Sequence, residues 1–437
     1  MNAIRLLKRY QSKLCIFRQF SDTSKESSTK LLDKFNWPSR HIEIESAKTP
    51  PKQWYYDKEF YNEVEKKITF TNHWLIACRS DQLLNHGDYY AGEICNNQFI
   101  IININGNLKA YSNVCRHHAS LLLDHGYGSL ANTNSNTNNI LKYIQCPYHG
   151  WEYSPETGRL TKAIKVKGCK DFKANEITLP LYSCEKHALW VYIKLQTPSI
   201  HEPTSSLLHD QPDLKGLFNL MNTTTNYSNF KHICTRKYII KCNWKVYIDN
   251  YLDGGYHVLI AHKGLAALLD MSTYARQGYK HWFLQSCDTA TATTTTNTNT
   301  GTNTPSRLSS STTGTSGTTT SSSNSRAHYL YHYPNLMINR YGDWMDTNIV
   351  YPISPTECVV YIDWYIDTTM SYSPSYIQQA IEASDLVQQE DVHLCERVQK
   401  GLMSQCYDIG RYSPMIEQGE YFFHCLLHDD LVKRSEL

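Results

Sequence analysis

The sequence has no apolar run approaching the roughly 20 residues that a helix needs to cross a bilayer, so it predicts no membrane span. It also has almost no net charge, +2 at pH 7 over 437 residues, and no long basic block. That removes the electrostatic footprint of a nucleic-acid binder. No Gly-x-Gly-x-x-Gly follows a strand pattern, so neither a nicotinamide nor a flavin fingerprint is present. The first residues lack the uninterrupted apolar stretch of a secretory signal. Without that address, 14 cysteines scattered along the chain read as free or metal-bound thiols in a reducing compartment rather than as a disulfide framework. With 41% hydrophobic residues, the chain can bury one or two sizeable cores.

Against these absences stands one dense pattern. Cys115-x-His117 is followed, after a long gap, by Cys146-Pro147-Tyr148-His149-Gly150-Trp151. Two Cys and two His form the ligand set of a Rieske [2Fe-2S] centre, in which thiolates hold one iron and two imidazoles hold the other and raise its reduction potential. Cys115, His117, Cys146 and His149 are the candidate cluster ligands, with His117 and His149 on the redox-active iron. A Cys2His2 zinc site shares the residue types, but zinc fingers pair Cys with Cys and His with His at close spacing, whereas each arm here carries one of each.

A second constellation lies further on. Asn243-Trp244-Lys245, Asp249-Asn250-Tyr251 and Asp253-Gly254-Gly255-Tyr256-His257 lead to His262. On a regular helix, two His five residues apart diverge by about 140°. A widened π-type turn brings them onto one ion, and Gly254 and Gly255, weak helix formers, make that distortion easier. Two His and one carboxylate leave open positions on a ferrous ion, the arrangement of non-haem iron oxygenases. Glu390 and Asp391 stand in a helical run whose composition alone reads as a solvated face.

Between residues 70 and 195, short β-branched or aromatic runs alternate with turn residues: Trp74 to Cys78, Tyr89 to Cys95, Phe99 to Ile104 with an Asn105-Gly106 turn, Lys142 to Gln145, and Leu189 to Leu195. This predicts a small all-β domain carrying both cluster loops. Beyond residue 210 the pattern is mixed, with a strand over Tyr238 to Val246, a helical stretch from Asp249 to Leu269, several strands over 328 to 367, and a long helix over 374 to 404. The fold class is therefore α+β, a β-rich cluster domain followed by an antiparallel sheet wrapped on a helix, the helix-grip architecture.

The first residues are a segment of their own. Arg5, Lys8, Arg9, Lys13 and Arg18 precede the first acid, Asp22, and interleave with an apolar stripe, the signature of an organellar transit peptide. We read residues 1–21 as a mitochondrial transit peptide, with plastid or cytoplasm less favoured and a short amphipathic helix docked on the protein as the alternative. Residues 22–55 are a lead-in, 56–200 the cluster domain and 201–437 the catalytic domain. Residues 132–139 and 289–325 are almost wholly Asn, Thr, Ser and Gly. They carry too little apolar surface to offset chain entropy and read as disordered surface inserts.

The Cys-Pro-Tyr-His-Gly-Trp arm, the run from Asn243 to His262, the Glu390-Asp391 pair ahead of Cys395 to Leu402, and the tail from Gly410 through His428 together resemble the choline monooxygenase branch of the Rieske-type non-haem iron oxygenases. The likeness spans nearly all of residues 50 to 431 apart from the two inserts. No extra Cys follows either loop His, which separates the chain from respiratory Rieske proteins. The resemblance implies that Asp391 completes an iron triad with His257 and His262, with Glu390 in reserve. It implies two cofactors, a [2Fe-2S] cluster and a mononuclear Fe(II), and a ferredoxin as electron donor. It implies hydroxylation of choline to betaine aldehyde hydrate by O2 in a homotrimer, where a carboxylate joins a cluster His of one subunit to an iron His of the next. In many members that acid stands three residues before the first iron His. Here that residue is Gly254, so Asp253, Asp249 or a water-mediated link takes its place. N-demethylation of a betaine or carnitine-like quaternary ammonium is the alternative chemistry, and an electron carrier with a decayed iron site the alternative class. A quaternary ammonium offers no hydrogen bond from nitrogen, so its pocket needs aromatic faces and a countercharge. Tyr279, Trp282, Tyr341, Trp344, Tyr412, Phe422, Phe423 and Glu417 are the candidates.

Overall fold

In the computed structural model, the described residues are 30–131, 141–196, 205–222, 226–290 and 326–436. The leader and nearly all of both polar inserts lie outside them. The inserts nevertheless leave from and return to paired backbone. Ala131 bridges Leu141, and Asp288 stands opposite Arg326. A long loop closed at its base by existing strand pairing costs little, because closure entropy grows only with the logarithm of length.

The first half is all β. Strands β1 (Leu75–Arg79), β2 (Asp88–Ile94), β3 (Asn97–Ile104), β4 (Asn107–Ser112), β5 (Gly126–Ser129), β9 (Leu181–His187) and β10 (Trp190–Lys194) form one antiparallel sheet, in the order β1-β10-β9-β4-β3-β2-β5. The small strands β6 (Ile144–Gln145), β7 (Glu152–Tyr153) and β8 (Leu160–Lys162) form a second sheet beside it. The expected runs lie within a few residues of these strands. The Asn105-Gly106 turn has positive φ at both residues, 52° and 86°, the type I′ geometry whose twist matches paired strands.

The second half centres on another seven-stranded antiparallel sheet, in the order β11-β17-β16-β15-β14-β13-β12. Its strands are β11 (Phe230–Ile240), β12 (Leu269–Gly278), β13 (Trp282–Thr289), β14 (Arg326–His332), β15 (Leu336–Tyr341), β16 (Trp344–Ser354) and β17 (Glu357–Asp367). Period-two alternation divides its side chains between two cores. Tyr331, Met337, Trp344 and Val350 join the core that holds the helices. Their neighbours Leu330, Ile338, Met345 and Ile349 join a core shared with Trp74 and Trp190 of the cluster domain and with helix α1 (Leu214–Asn222). On the first face lie α2 (Trp244–Leu252), α3 (Val258–Ala261), α4 (Pro374–Leu402) and α5 (Gln418–Glu436). The sheet wrapped on α4 is the fold class expected.

Two local expectations are corrected. The predicted strand over Tyr238 to Val246 ends at Ile240, and α2 starts at Trp244 because Asn243 caps it, its side-chain oxygen accepting from the Lys245 N–H at 2.9 Å. The helical stretch from Asp249 is broken after Leu252. A fully buried ion pair, Lys245 with Glu65, ties α2 to a π-helical segment, Tyr61–Thr69, at the edge of the cluster domain. Burying both charges is tolerable only because each neutralises the other.

Candidate active site

The two cluster arms are hairpin-like loops of matching geometry. In the first, the Cys115 N–H donates to Ser120 O and the Ala119 N–H to Cys115 O. In the second, the Cys146 N–H donates to Trp151 O and the Gly150 N–H to Cys146 O. Gly150 has φ 67°, a left-handed conformation that an L side chain resists, which explains the glycine of the motif. Cys115 and Cys146 are buried, His117 is exposed and His149 half-buried. The imidazole side of the site therefore faces outward. The ring of His117 stacks on Trp151 with centroids 4.5 Å apart and lies 4.8 Å from the His149 ring. Burial disfavours the Cys146 thiolate, but hydrogen bonds from the backbone of Tyr148 and His149 outweigh it and lower its pKa. The Nδ1 atom of His149 is buried without a protein partner, as suits a metal-facing donor.

These four residues fit a two-iron cluster better than one zinc ion. Among the described residues, the only group of three or more donors within 4.8 Å of one another is elsewhere, whereas a tetrahedral zinc site gathers all four. Tyr153, which sequence reasoning missed, lies with its hydroxyl 3.3 Å from Cys115 Sγ and accepts from the Arg116 N–H at 3.0 Å. Its only sequence signal is its place two residues beyond the second arm.

The compact group is His257, His262 and Asp391. It does not arise from a π-type turn. After α2 ends, Gly254 and Gly255 take φ of 73° and 74°, and the chain re-enters a single helical turn, α3, flanked by His257 and His262. A left-handed Gly-Gly link re-aims the backbone where a widened helix would only have stretched it. Asp391 reaches in from α4, its Oδ1 2.9 Å from His262 Nε2 and 3.5 Å from His257 Nε2. Burial opposes charge on His257, yet hydrogen bonds with Asp253 and Asp391 push its pKa up to about 10. Burial likewise raises the carboxyl pKa of Asp391, but the two imidazoles hold it below the usual carboxylate range. An iron ion held by these groups would take the place of the protons they share.

Each imidazole has its other nitrogen held by a carboxylate. Asp253 accepts from the Gly255 and His257 N–H groups at 2.9 and 3.0 Å and bonds Nδ1 of His257. Glu390, the reserve ligand of the sequence reading, lies 2.6 Å from His262 Nδ1 instead. Such partners fix the ring orientation of metal-binding histidines and raise their basicity. Asp249 points elsewhere, accepting from Tyr55 at 2.8 Å and pairing with His424 at 3.0 Å. At Gly254 no side chain fits, since an added Cβ would lie 2.2 Å from the Ile416 carbonyl oxygen.

A cavity of about 490 Å³ opens beside the triad, with His262 and Asp391 in its wall. Strands β15 to β17 form its floor, and α2 and α4 its roof. Of the aromatic candidates, Tyr341 alone lines it, together with Tyr247 and Tyr251, which the sequence reading did not single out. Trp282, Trp344 and Phe423 are core residues, Tyr279 stacks on Trp282 and Tyr412 bonds His424. Phe422 tilts against Phe283. Glu417 bonds the Ser413 N–H and is not in the cavity wall. Alternating strand aromatics mostly serve the core, and only the tertiary fold shows which one does not.

Comparison with known proteins agrees with this geometry. Residues 73–173 match the Rieske [2Fe-2S] domain and residues 227–431 the ring hydroxylating alpha subunit, catalytic domain. A chloroplastic choline monooxygenase of Arabidopsis thaliana is 36% identical over 394 residues, 89% of this chain and 84% of the relative. The chain belongs to the choline monooxygenase family. The chloroplastic choline monooxygenase of Spinacia oleracea is 32% identical over 95% of this chain and 85% of its own. A solved quaternary ammonium Rieske monooxygenase shares the fold with a TM-score of 0.71 at 22% identity, covering 89% of this chain and 96% of its own. The protein is thus a Rieske oxygenase, and its family carries both a [2Fe-2S] cluster and a non-haem iron. The mitochondrial assignment of the leader is corrected. Both plant choline monooxygenases are chloroplastic, which points to a plastid. An Arg-rich, acid-poor amphipathic leader is common to both organelles' addresses, so composition does not separate them. Among the described residues no helix is long and apolar enough to cross a membrane.

Proposed function

We propose that this enzyme hydroxylates choline, converting choline, O2, two electrons and two protons to betaine aldehyde hydrate and water, with a reduced ferredoxin as donor. The observation that carries the reading is the wall of the cavity beside the triad. It holds Tyr247, Tyr251 and Tyr341 with the acids Asp346, Glu390 and Asp391, and neither a lysine nor an arginine among the described residues that line it. Aromatic faces and carboxylates suit a quaternary ammonium. A zwitterion such as carnitine or glycine betaine brings a carboxylate that this wall has no lysine or arginine to meet, and burying an unpaired carboxylate is costly.

Cys115, His117, Cys146 and His149 would hold the cluster, and His257, His262 and Asp391 the iron. Bound there, the cluster supplies electrons one at a time and the iron activates O2. The chain's own residues set the stage for this. Asp253 and Glu390 hold the two imidazoles in one orientation, and the cavity beside them admits the substrate. Exposed His117 leaves the imidazole side of the two loops facing outward, which supports electron delivery between subunits of a homotrimer. Asp253, bonded to His257, is the acid on the receiving side of that path. The test is product analysis with choline, glycine betaine and carnitine under O2 and reduced ferredoxin. An aldehyde from choline supports the proposal. Formaldehyde from any of the three indicates N-demethylation instead, and no substrate-dependent O2 uptake refutes both.

A further inference from the structure

Beyond the second cluster arm, residues 159–173 carry six basic side chains, Arg159, Lys162, Lys165, Lys167, Lys170 and Lys173, against the single acid Asp171, in a chain whose net charge is only +2. No two of the six are adjacent, so the sequence shows no basic block. Surface lysines are ordinarily a solvated face, but this segment is packed onto the cluster loops. Ala163, Val166 and Phe172 pack against the core that holds Cys115 and Cys146. The Phe172 ring meets Trp151 edge-on with centroids 5.8 Å apart, and Trp151 stacks on His117. Ile164 stands against the second arm, its Cδ1 3.5 Å from where a Cβ on Gly150 would lie.

Ion pairing neutralises the ends of the segment and leaves its middle charged. Lys162 pairs with Glu152 at 2.9 Å and Lys173 with Glu176 at 2.7 Å. Lys165, Lys167 and Lys170 are exposed, and none has an ion pair or side-chain hydrogen bond among the described residues. Arg116, inside the first arm, is exposed and unpaired in the same sense. Like charges gathered on one face repel one another, so holding them there works against the fold. Apolar side chains accompany them: Ile164 is 43% exposed, and Tyr148 on the second arm is 66% exposed. Apolar contacts surrounded by charge of one sign form the anatomy of a recognition surface for a partner of opposite charge.

We propose that this face is where the electron donor docks, and that the donor is a small protein with an acidic surface, its carboxylates meeting Lys165, Lys167, Lys170 and Arg116 while Ile164 and Tyr148 make the close apolar contact. This rests on the reading that a reduced ferredoxin supplies the electrons, and it adds the surface that receives it. Each encounter passes one electron from the donor's reduced centre to the oxidised cluster, with no bond made or broken, so a turnover needs two encounters. A small, weak interface suits that exchange, because the spent donor must leave before the next arrives. Unpaired lysines supply attraction at long range, which speeds arrival without holding the product of the encounter.

The test is stopped-flow reduction of the oxygen-free holoenzyme by a reduced, acidic plant-type [2Fe-2S] ferredoxin. It is run at about 0.01 M salt, where charges act over about 30 Å, and at about 1 M, where they act over about 3 Å. Wild type is reduced about 10- to 100-fold faster at the lower salt. The triple variant Lys165→Glu, Lys167→Glu, Lys170→Glu is slowed about 10- to 1000-fold at the lower salt and comes close to wild type at the higher. The corresponding triple Gln variant falls between them. Reduced methyl viologen, a small dye that needs no docking face, reduces all three proteins alike at the higher salt, with cluster absorbance and midpoint potential unchanged. If the Glu variant keeps the wild-type rate with ferredoxin at the lower salt, the proposal is overturned. A variant slowed as much with methyl viologen as with ferredoxin also overturns it, since the lysines then act on the cluster itself. Lost binding to phosphatidylglycerol vesicles with ferredoxin reduction intact assigns the face to an anionic membrane and overturns it too. A wild type that ferredoxin reduces at neither salt refutes the donor reading, and the docking proposal falls with it.

Discussion

Replacing Gly254 by Asp puts an acid three residues before His257, where the family resemblance leads one to expect it, and motif reasoning alone expects it to improve electron transfer. The structure predicts the opposite. Gly254 has φ 73°, and a Cβ built there would stand 2.2 Å from Ile416 O and 2.5 Å from Arg276 Nε. Arg276 can swing away, but the Ile416 carbonyl is backbone. An L residue in the left-handed region costs about 1–2 kcal/mol, and forcing the backbone of residue 416 aside adds about 1–3 kcal/mol. A loss of about 2–5 kcal/mol, at 2–4 °C for each kcal/mol in a domain of this size, lowers Tm by about 4–20 °C. Because His257 follows three residues later, iron should be lost as well. The assay is thermal unfolding of Gly254→Asp and Gly254→Ala beside wild type, with iron content measured on each. Alanine carries the Cβ without the charge and should show most of the effect. Either variant melting within about 1 °C of wild type with full iron refutes the steric reasoning, and faster coupled turnover in Gly254→Asp would show that position 254 is open to an acid after all.

Three further outcomes follow from the site. Asp253→Asn keeps the shape but weakens the hold on His257, so Fe(II) affinity should fall about 10–100-fold with coupled turnover nearly abolished and the cluster unaffected; wild-type turnover at saturating iron would remove Asp253 from the path. Tyr153→Phe deletes a hydroxyl near Cys115 sulfur and should lower the cluster potential by about 40 mV, since about 1 kcal/mol of hydrogen bonding converts at 59 mV per tenfold for one electron; an unchanged potential in a redox titration speaks against that contact. In the iron-free protein, the pKa of His257 is raised from 6.5 to about 10, so its contribution to stability is full below 6.5 and is lost as pH rises through about 10. Fe(II) displaces that proton, so its affinity should climb with pH across the same window, with proton release seen on binding in weak buffer; pH-independent affinity would contradict the raised pKa.

The redox chemistry was legible because its donors sit on two short loops whose spacing survives whatever joins them. The insert between the arms changed their distance in sequence and not the chemistry, since the backbone closes again at Ala131 and Leu141. The pairing of His257 with His262 was legible for the same reason, but the means of bringing them together was not. A π-type turn and a left-handed Gly-Gly link both satisfy the same letters, and only packing against Ile416, far along the chain, favours the second. Glu390 and Asp391 show the limit most plainly. Adjacent on one helix, they differ in role because one aims at Nδ1 and the other at Nε2 of a single imidazole.

The sequence by itself determined the fold class, the two cofactors of the family and the need for an electron-transfer partner, because each depends on residue types at short spacing. It did not locate the site's supports or its cavity. Asp253 and Glu390 as imidazole partners and Tyr341 as the one aromatic candidate in the wall were decided only by the tertiary structure. Those residues come from the turn after α2, from β15 and from α4, about a hundred residues or more apart in places, and no local pattern records which strand face closes over which helix.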